Sequence, residues 1–232
     1  MHSDSPPRRS HPNEFEHITS TGNDLVKLMR SLERKRSRKE AGLFIAEGAR
    51  HAEEALHYGW EPVSALTSQA MLERESAKPL LRRLADQGAR VVTTNERVLG
   101  AIARKDNPQT LITAFRQRSV ALDDLKVDGA RRWVALYEVR DPGNLGTILR
   151  TADATGVDGV ILIGTCCDPF SPETVRASMG SVFAVPFVET STGAFWAWVA
   201  AADAQVTAAS MRGAVSTESH SYSERAVVLM GN

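Results

Sequence analysis

The chain has 232 residues, with 28 Lys+Arg against 28 Asp+Glu, 42% hydrophobic and 24% charged, a balance that suits a globular protein with one large or two small cores. No apolar run approaches the roughly 20 residues that span a bilayer, and residues 1–17 lack the apolar segment of a signal peptide, so no membrane partner, a cytoplasmic location and a disordered tail over 1–17 are expected. The cysteines are the neighbours Cys166 and Cys167, which rarely pair with each other and lack C-x-x-C spacing, so no metal site is expected and a reducing compartment fits.

The zero net charge conceals an asymmetry. Residues 18–118 hold 18 Lys+Arg against 12 Asp+Glu, while residues 119–232 hold 8 against 13, a split that points to a nucleic-acid-facing part and a separate working part. In chain order, residues 23–36 read as a helix with Leu25, Leu28, Met29 and Leu32 on its inner side. Around it lies the densest basic patch, in which Lys27, Arg30, Arg34, Lys35, Arg36, Arg38 and Lys39 face the single acid Glu33. On one helix Lys27, Arg30 and Arg34 share a face, which suits a phosphate backbone; the alternative is a solvated basic face with no partner. Strand 43–46, helix 47–58, strand 63–66, helix 71–85, strand 91–93, helix 96–103 and strand 110–115 follow, an alternation that predicts a small α/β sandwich. From Arg118 to Asp128 the chain is polar and acidic without a period, which makes 119–130 the candidate linker.

The alternation resumes with strand 133–139, helix 145–155, strand 160–163, helix 172–183, strand 185–188, helix 192–202 and strands 205–209 and 225–230. VILI and AVVLM are apolar without alternation, as strands covered on both faces should be, so a parallel, doubly wound sheet is expected. Its most informative stretch is RDPGNLGTILRTADATGVDGVIL, Arg140 to Leu162. Pro142 and Gly143 suit a tight turn, Asn144 is a candidate helix cap, and Gly156 closes the helix before a buried strand. Ligands of open α/β sheets sit at such a loop.

This stretch resembles the first signature motif of the SpoU-type RNA 2′-O-ribose methyltransferases, members of the SPOUT superfamily, in which an Asn and an Arg stand six residues apart after a strand, here Asn144 and Arg150. SPETVRASMGSVFAVPF, Ser171 to Phe187, is a second family-like stretch. ITSTGNDLVKLMRSLERKRSRKEAGLFIAEG, Ile18 to Gly48, is similar to the start of the RNA-binding domain that many of these enzymes carry. The resemblance therefore implies an RNA-binding domain over 18–118 and a Rossmann-like methyltransferase domain over 131–232. It also implies S-adenosylmethionine as cofactor and RNA, most of all ribosomal RNA, as substrate.

Methyl transfer to a ribose hydroxyl requires the two reacting centres held in line, and positioning supplies roughly 7–11 kcal/mol of such a barrier. The resemblance places Arg150 at the ribose, helping to activate the hydroxyl, with Asn144 organising the site. A guanidinium with a pKa above about 12 is a poor base, so binding the adjoining phosphate and stabilising developing charge is the safer role. A surface salt bridge of Arg150 with Asp153 or Glu138 is the alternative. The RNA-binding candidates are Asn23, Lys27, Arg30, Arg34, Lys35, Arg38 and Arg176. Arg176 lies on a helix opened by Ser171 and Pro172, and its neighbours Ala177, Ser178 and Gly180 fit equally a helix packed closely on the sheet.

LMGN, Leu229 to Asn232, looks like the opening of the family's next motif and makes these four residues the cofactor-binding candidates. The glutamate and glycine-rich turn that follow in the family, and the segment that forms its knot, lie beyond the sequence, so weak cofactor binding and a last strand at an exposed sheet edge are expected. A homodimer is the family's usual state. Two other readings stay open: an RNA-binding protein without catalysis, and tRNA in place of rRNA. A nucleotide enzyme is disfavoured, because no G-x-G-x-x-G or Walker-type loop follows a predicted strand.

Overall fold

The computed structural model describes residues 15–118, 120–210, 215–216 and 218–231. The first part runs β1 (His17–Ile18), α1 (Asp24–Ser31), α2 (Lys35–Ala41), β2 (Leu43–Glu47), α3 (Ala49–His57), β3 (Pro62–Ser68), α4 (Gln69–Leu72), α5 (Lys78–Asp86), β4 (Arg90–Thr94), α6 (Glu96–Ala103) and β5 (Leu111–Arg116). Its strands form one sheet in the order β1-β4-β3-β5-β2, parallel from β1 to β3 and antiparallel at β5 and β2. Residues 1–14 of the predicted tail lie outside the described residues, whereas His17 pairs with Thr93 and so belongs to the sheet.

The second part runs β6 (Arg131–Tyr137), α7 (Pro142–Thr155), β7 (Gly159–Ile163), α8 (Pro172–Ala177), α9 (Ser181–Ala184), β8 (Phe187–Thr190), α10 (Thr192–Ala202), β9 (Gln205–Ala208) and β10 (Arg225–Gly231). Every pairing in its sheet, ordered β8-β7-β6-β10-β9, is parallel. β10 lies between β6 and β9, so the expectation that the last strand would form an unfinished edge is wrong; β8 and β9 are the edges. Strand order reverses on either side of β6 and β10, and their carboxyl ends are therefore where such a sheet receives a ligand.

Three predicted helices are interrupted. The helix expected over 23–36 stops at Ser31 and restarts at Lys35, where the buried Arg38 donates through Nη1 to Leu32 O (2.8 Å) and Glu33 O (2.6 Å), supplying partners to carbonyls at the helix end. The helix expected over 71–85 divides into α4 and α5, and that over 172–183 breaks at Met179 and Gly180, with φ of 53° and 107°.

One hydrophobic cluster crosses from the first sheet to the second. Phe44 on β2 lies 4.7 Å from Phe170 and 5.5 Å from Trp60, centroid to centroid, and the Trp60 indole N–H donates to Phe183 O at 2.9 Å. The connection between the sheets is also packed, with Leu125 buried in the cluster that holds Trp133. The two layers therefore share an interior, which fixes one against the other.

Candidate active site

The carboxyl end of β6 leads through Glu138, held at φ 51°, to the start of α7. Asp141 caps that helix: its Oδ1 accepts from the Asn144 backbone N–H at 2.7 Å, and Pro142 occupies the first turn. The expectation that Asn144 is the cap is thereby corrected, because Asp141 stands where the chain is still extended, and Asn144 is already helical with its side chain exposed. Leu145, Gly146, Leu149 and Ala152 face inward, and Gly156, at φ 66°, ends the helix. Gly146 is required: a Cβ there would stand 2.8 Å from the Ser178 backbone nitrogen, so only glycine lets α7 and α8 approach so closely. Ala177 and Ser178 thus pack closely, but against α7 where the sheet was expected, and Ser171 caps α8 as expected.

Asn144 and Arg150 share α7 but not one spot. Six residues of helix separate them by about 9 Å along the axis and about 120° around it. Asn144 stands at the sheet's carboxyl edge, with Leu229, Met230 and Gly231 at the end of the adjoining β10; Asn232 lies outside the described residues. Leu229 and Met230 pack on opposite faces of the sheet, and a Cβ on Gly231 would lie 2.6 Å from Tyr137 O. The strand end therefore places one apolar side chain on each face of the sheet, with the exposed Tyr137 on the neighbouring strand, and either face suits the flat, apolar side of an adenine base.

Arg150 instead lines a cleft of about 710 Å³ between the two layers, together with Thr147, Thr151 and Asp153 of α7, Arg50 and Glu54 of α3, and Met179. It is exposed, and among the described residues it makes no ion pair; Glu138, one of its expected partners, meets Arg140 at 3.4 Å. Pattern reading missed Arg50, which lies on a helix with no basic run to mark it.

The basic patch divides. Lys27 pairs with Asp24 at 3.1 Å on an exposed surface, and Asn23 caps α1 by accepting from the Leu25 N–H at 2.9 Å. Arg30, Arg34, Lys35 and Lys39 are exposed and make no ion pair among the described residues, but the break after Ser31 removes Arg34 from the face that Lys27 and Arg30 were expected to share with it. Arg38 is a correction: at 2% exposure it cannot meet RNA, and its guanidinium grips Asp168 Oδ2 at 2.6 Å in the loop before α8. Lys35, Lys39, Gln117 and Arg118 line a second cleft above this pair, and Arg118 lies 4.4 Å from the centre of the Trp60 ring, a cation–π contact that the sequence did not reveal. Arg176 remains half exposed while pairing with Glu47 at 3.1 Å; Lys105 reaches the same carboxylate at 3.0 Å.

Burial lowers the pKa of His51, which lies at 3.2 Å from Val175 O between the layers, and favours its neutral form. Burial also raises both thiols, Cys167 to about 11, which favours the protonated thiol of each at neutral pH. Among the described residues no group of three or more metal-ligating side chains forms a metal site, and no helix is long and apolar enough to cross a membrane.

Known proteins resemble both parts of the chain. Residues 131–232 match the SpoU rRNA Methylase family, and residues 23–113 match an MRM3-like substrate binding domain. The crystal structure of an rRNA methyltransferase from Sinorhizobium meliloti is 40% identical and superposes with a TM-score of 0.87, covering 95% of this chain and 83% of that one. Its AdoMet-bound form gives 0.85, with 93% and 80% covered. A 23S rRNA (guanosine(2553)-2'-O)-methyltransferase of Bacillus subtilis is 26% identical over 93% of this chain and 82% of its own length. An uncharacterized tRNA/rRNA methyltransferase of Synechocystis is 37% identical over 73% of this chain, which spans 60% of that relative.

Proposed function

The chain belongs to the SpoU rRNA Methylase family, and from that premise we propose that the protein catalyses S-adenosylmethionine-dependent 2′-O-methylation of a ribose in ribosomal RNA. The observation that carries this reading is Arg150, a guanidinium left exposed and without an ion pair among the described residues, in a cleft between the basic layer and the parallel sheet. S-adenosylmethionine, when bound, would supply the methyl group, with Leu229, Met230 and Gly231 at the carboxyl edge of the sheet holding its adenosine and Asn144 orienting the ribose of the RNA. Arg150, about one and two-thirds turns further along α7, binds the phosphate beside that ribose and fixes the hydroxyl in place. Lys27, Arg30, Arg34, Lys35 and Arg176 extend the RNA path, Asn23 supports it by capping α1, and Arg38 is excluded by its burial.

In this reading residues 18–118 bind substrate, 119–130 connect, and 131–232 carry out the transfer, without a membrane partner. The protein acts as a homodimer in the cytoplasm. Sedimentation should show a dimer for the wild type. Transfer of labelled methyl from S-adenosylmethionine to a 23S rRNA transcript, with the label recovered in a 2′-O-methylated nucleoside, tests the activity. RNA binding without transfer by the full-length protein would favour the non-catalytic alternative.

A further inference from the structure

The cleft that holds Arg150 has walls from both layers, and the wall opposite α7 belongs to the first. It consists of Arg50 on α3, followed one turn later by Glu54, and Met179 and Gly180, at the break between α8 and α9 of the second layer, close the cleft against it. That wall is fixed by packing. Gly180 adopts φ 107°, and a Cβ there would sit 3.0 Å from Glu54 Cγ, so the break lies directly on α3. Its neighbour Met179 is held at φ 53°, a conformation unfavourable for a residue with a Cβ, yet its side chain is 43% exposed into the cleft rather than buried. Strain of this kind, maintained beside an open cleft, gathers at ligand sites.

The charges in the cleft have an unusual arrangement. Two guanidiniums, Arg50 and Arg150, and two carboxylates, Glu54 and Asp153, line it, yet among the described residues no ion pair joins any of them. The two arginines come from different layers, and the shared interior of Phe44, Trp60, Phe170 and Phe183 holds those layers together. A polyanion lying along the cleft would meet one guanidinium from each wall, with the Met179 thioether presenting an apolar surface to a base or sugar between them.

We propose that Arg50 is a second phosphate-binding residue of the RNA site, acting with Arg150 across the cleft, so that the first layer grips the RNA backbone at the nucleotide next to the one methylated. This rests on the RNA-methylating reading above and adds to it a residue outside the methyltransferase layer. It differs from the basic residues of α1, because Arg50 sits on α3, which packs on the other face of the first sheet.

The test measures binding of a 20-nucleotide single-stranded RNA and of a 23S rRNA transcript to the full-length protein and to Arg50→Ala, Arg50→Lys and Arg150→Ala, over a range of salt concentrations. Arg50→Ala should weaken binding roughly tenfold, as loss of one charge-assisted contact does, and reduce the magnitude of the slope of log K against log[salt] by about 0.7 to 1. Arg50→Lys should recover the slope and part of the affinity. With the exposed Arg50 replaced, the melting temperature should stay unchanged, which separates this effect from misfolding. An unchanged affinity and slope for Arg50→Ala, beside a reduced slope for Arg150→Ala, would overturn the role of Arg50 and leave the RNA-methylating reading intact. Wild-type protein that shows neither salt-dependent RNA binding nor methyl transfer would instead overturn that reading itself.

Discussion

Helices α2 and α7 each carry an arginine that sequence pattern marks as RNA-facing, and the structure gives them opposite fates. Arg38 is 2% exposed, bonded to two backbone carbonyls and paired with Asp168; Arg150 is exposed, and no ion pair holds it among the described residues. Positive charge alone therefore does not identify a ligand contact. A guanidinium whose donors are already satisfied ties two layers together, while one whose donors point into a cleft is available to a phosphate.

Replacing Arg38 gives the sharpest test of that contrast. Arg38→Ala leaves the Asp168 carboxylate, 11% accessible, without its partner, and chemical denaturation should show a loss of about 3–5 kcal/mol. A loss below about 1 kcal/mol would place the pair with ordinary surface ion pairs. Gly146→Ala should follow at about 1–3 kcal/mol, because the added methyl meets Ala177 and Ser178 in a packed contact; an unchanged melting temperature would show that α7 and α8 can separate freely. Asp141→Ala removes only a helix cap and should lower stability by about 1 kcal/mol, with Asp141→Asn recovering most of it.

The smallest effect is a pH dependence. Burial raises the Cys167 thiol to about 11 in the folded protein, above the roughly 8.5 of an unfolded thiol, so the native state holds this proton more tightly. Its contribution should be complete below about pH 8.5 and be lost as pH rises toward 11. Thiolate absorbance of a Cys166→Ala variant, which removes the lesser effect of the neighbouring thiolate and keeps the burial, should show Cys167 titrating still above about 8.5, and titration near 8.5 would contradict this.

Much of the architecture was legible in the residues. Apolar, non-alternating strands such as Val160 to Ile163 marked a sheet covered on both faces, and Ser171 with Pro172 marked the start of α8. The start of α7 was read three residues late, because Asp141 and Asn144 are both capping residues and the Pro at position 142 decides between them. The break between α1 and α2 carries no Gly or Pro; Arg38, held to Asp168 130 residues away, lies against it, and local pattern does not reveal so distant a partner. Strand order was hidden for the same reason. Nothing in Arg225 to Gly231 says that the strand inserts between β6 and β9. The candidate site was legible on α7 and at the end of β10, whose residues follow one another in the chain, and was missed at Arg50 and Arg118, which the tertiary fold brings to its clefts.

The most direct test of the contrast between the two arginines compares methyl transfer to a 23S rRNA transcript by full-length Arg150→Ala with its unfolding curve. Unfolding should lie within about 0.5 kcal/mol of wild type, because Arg150 is exposed, while transfer should fall at least a hundredfold. Wild-type rates of transfer in a folded Arg150→Ala protein would contradict this contrast.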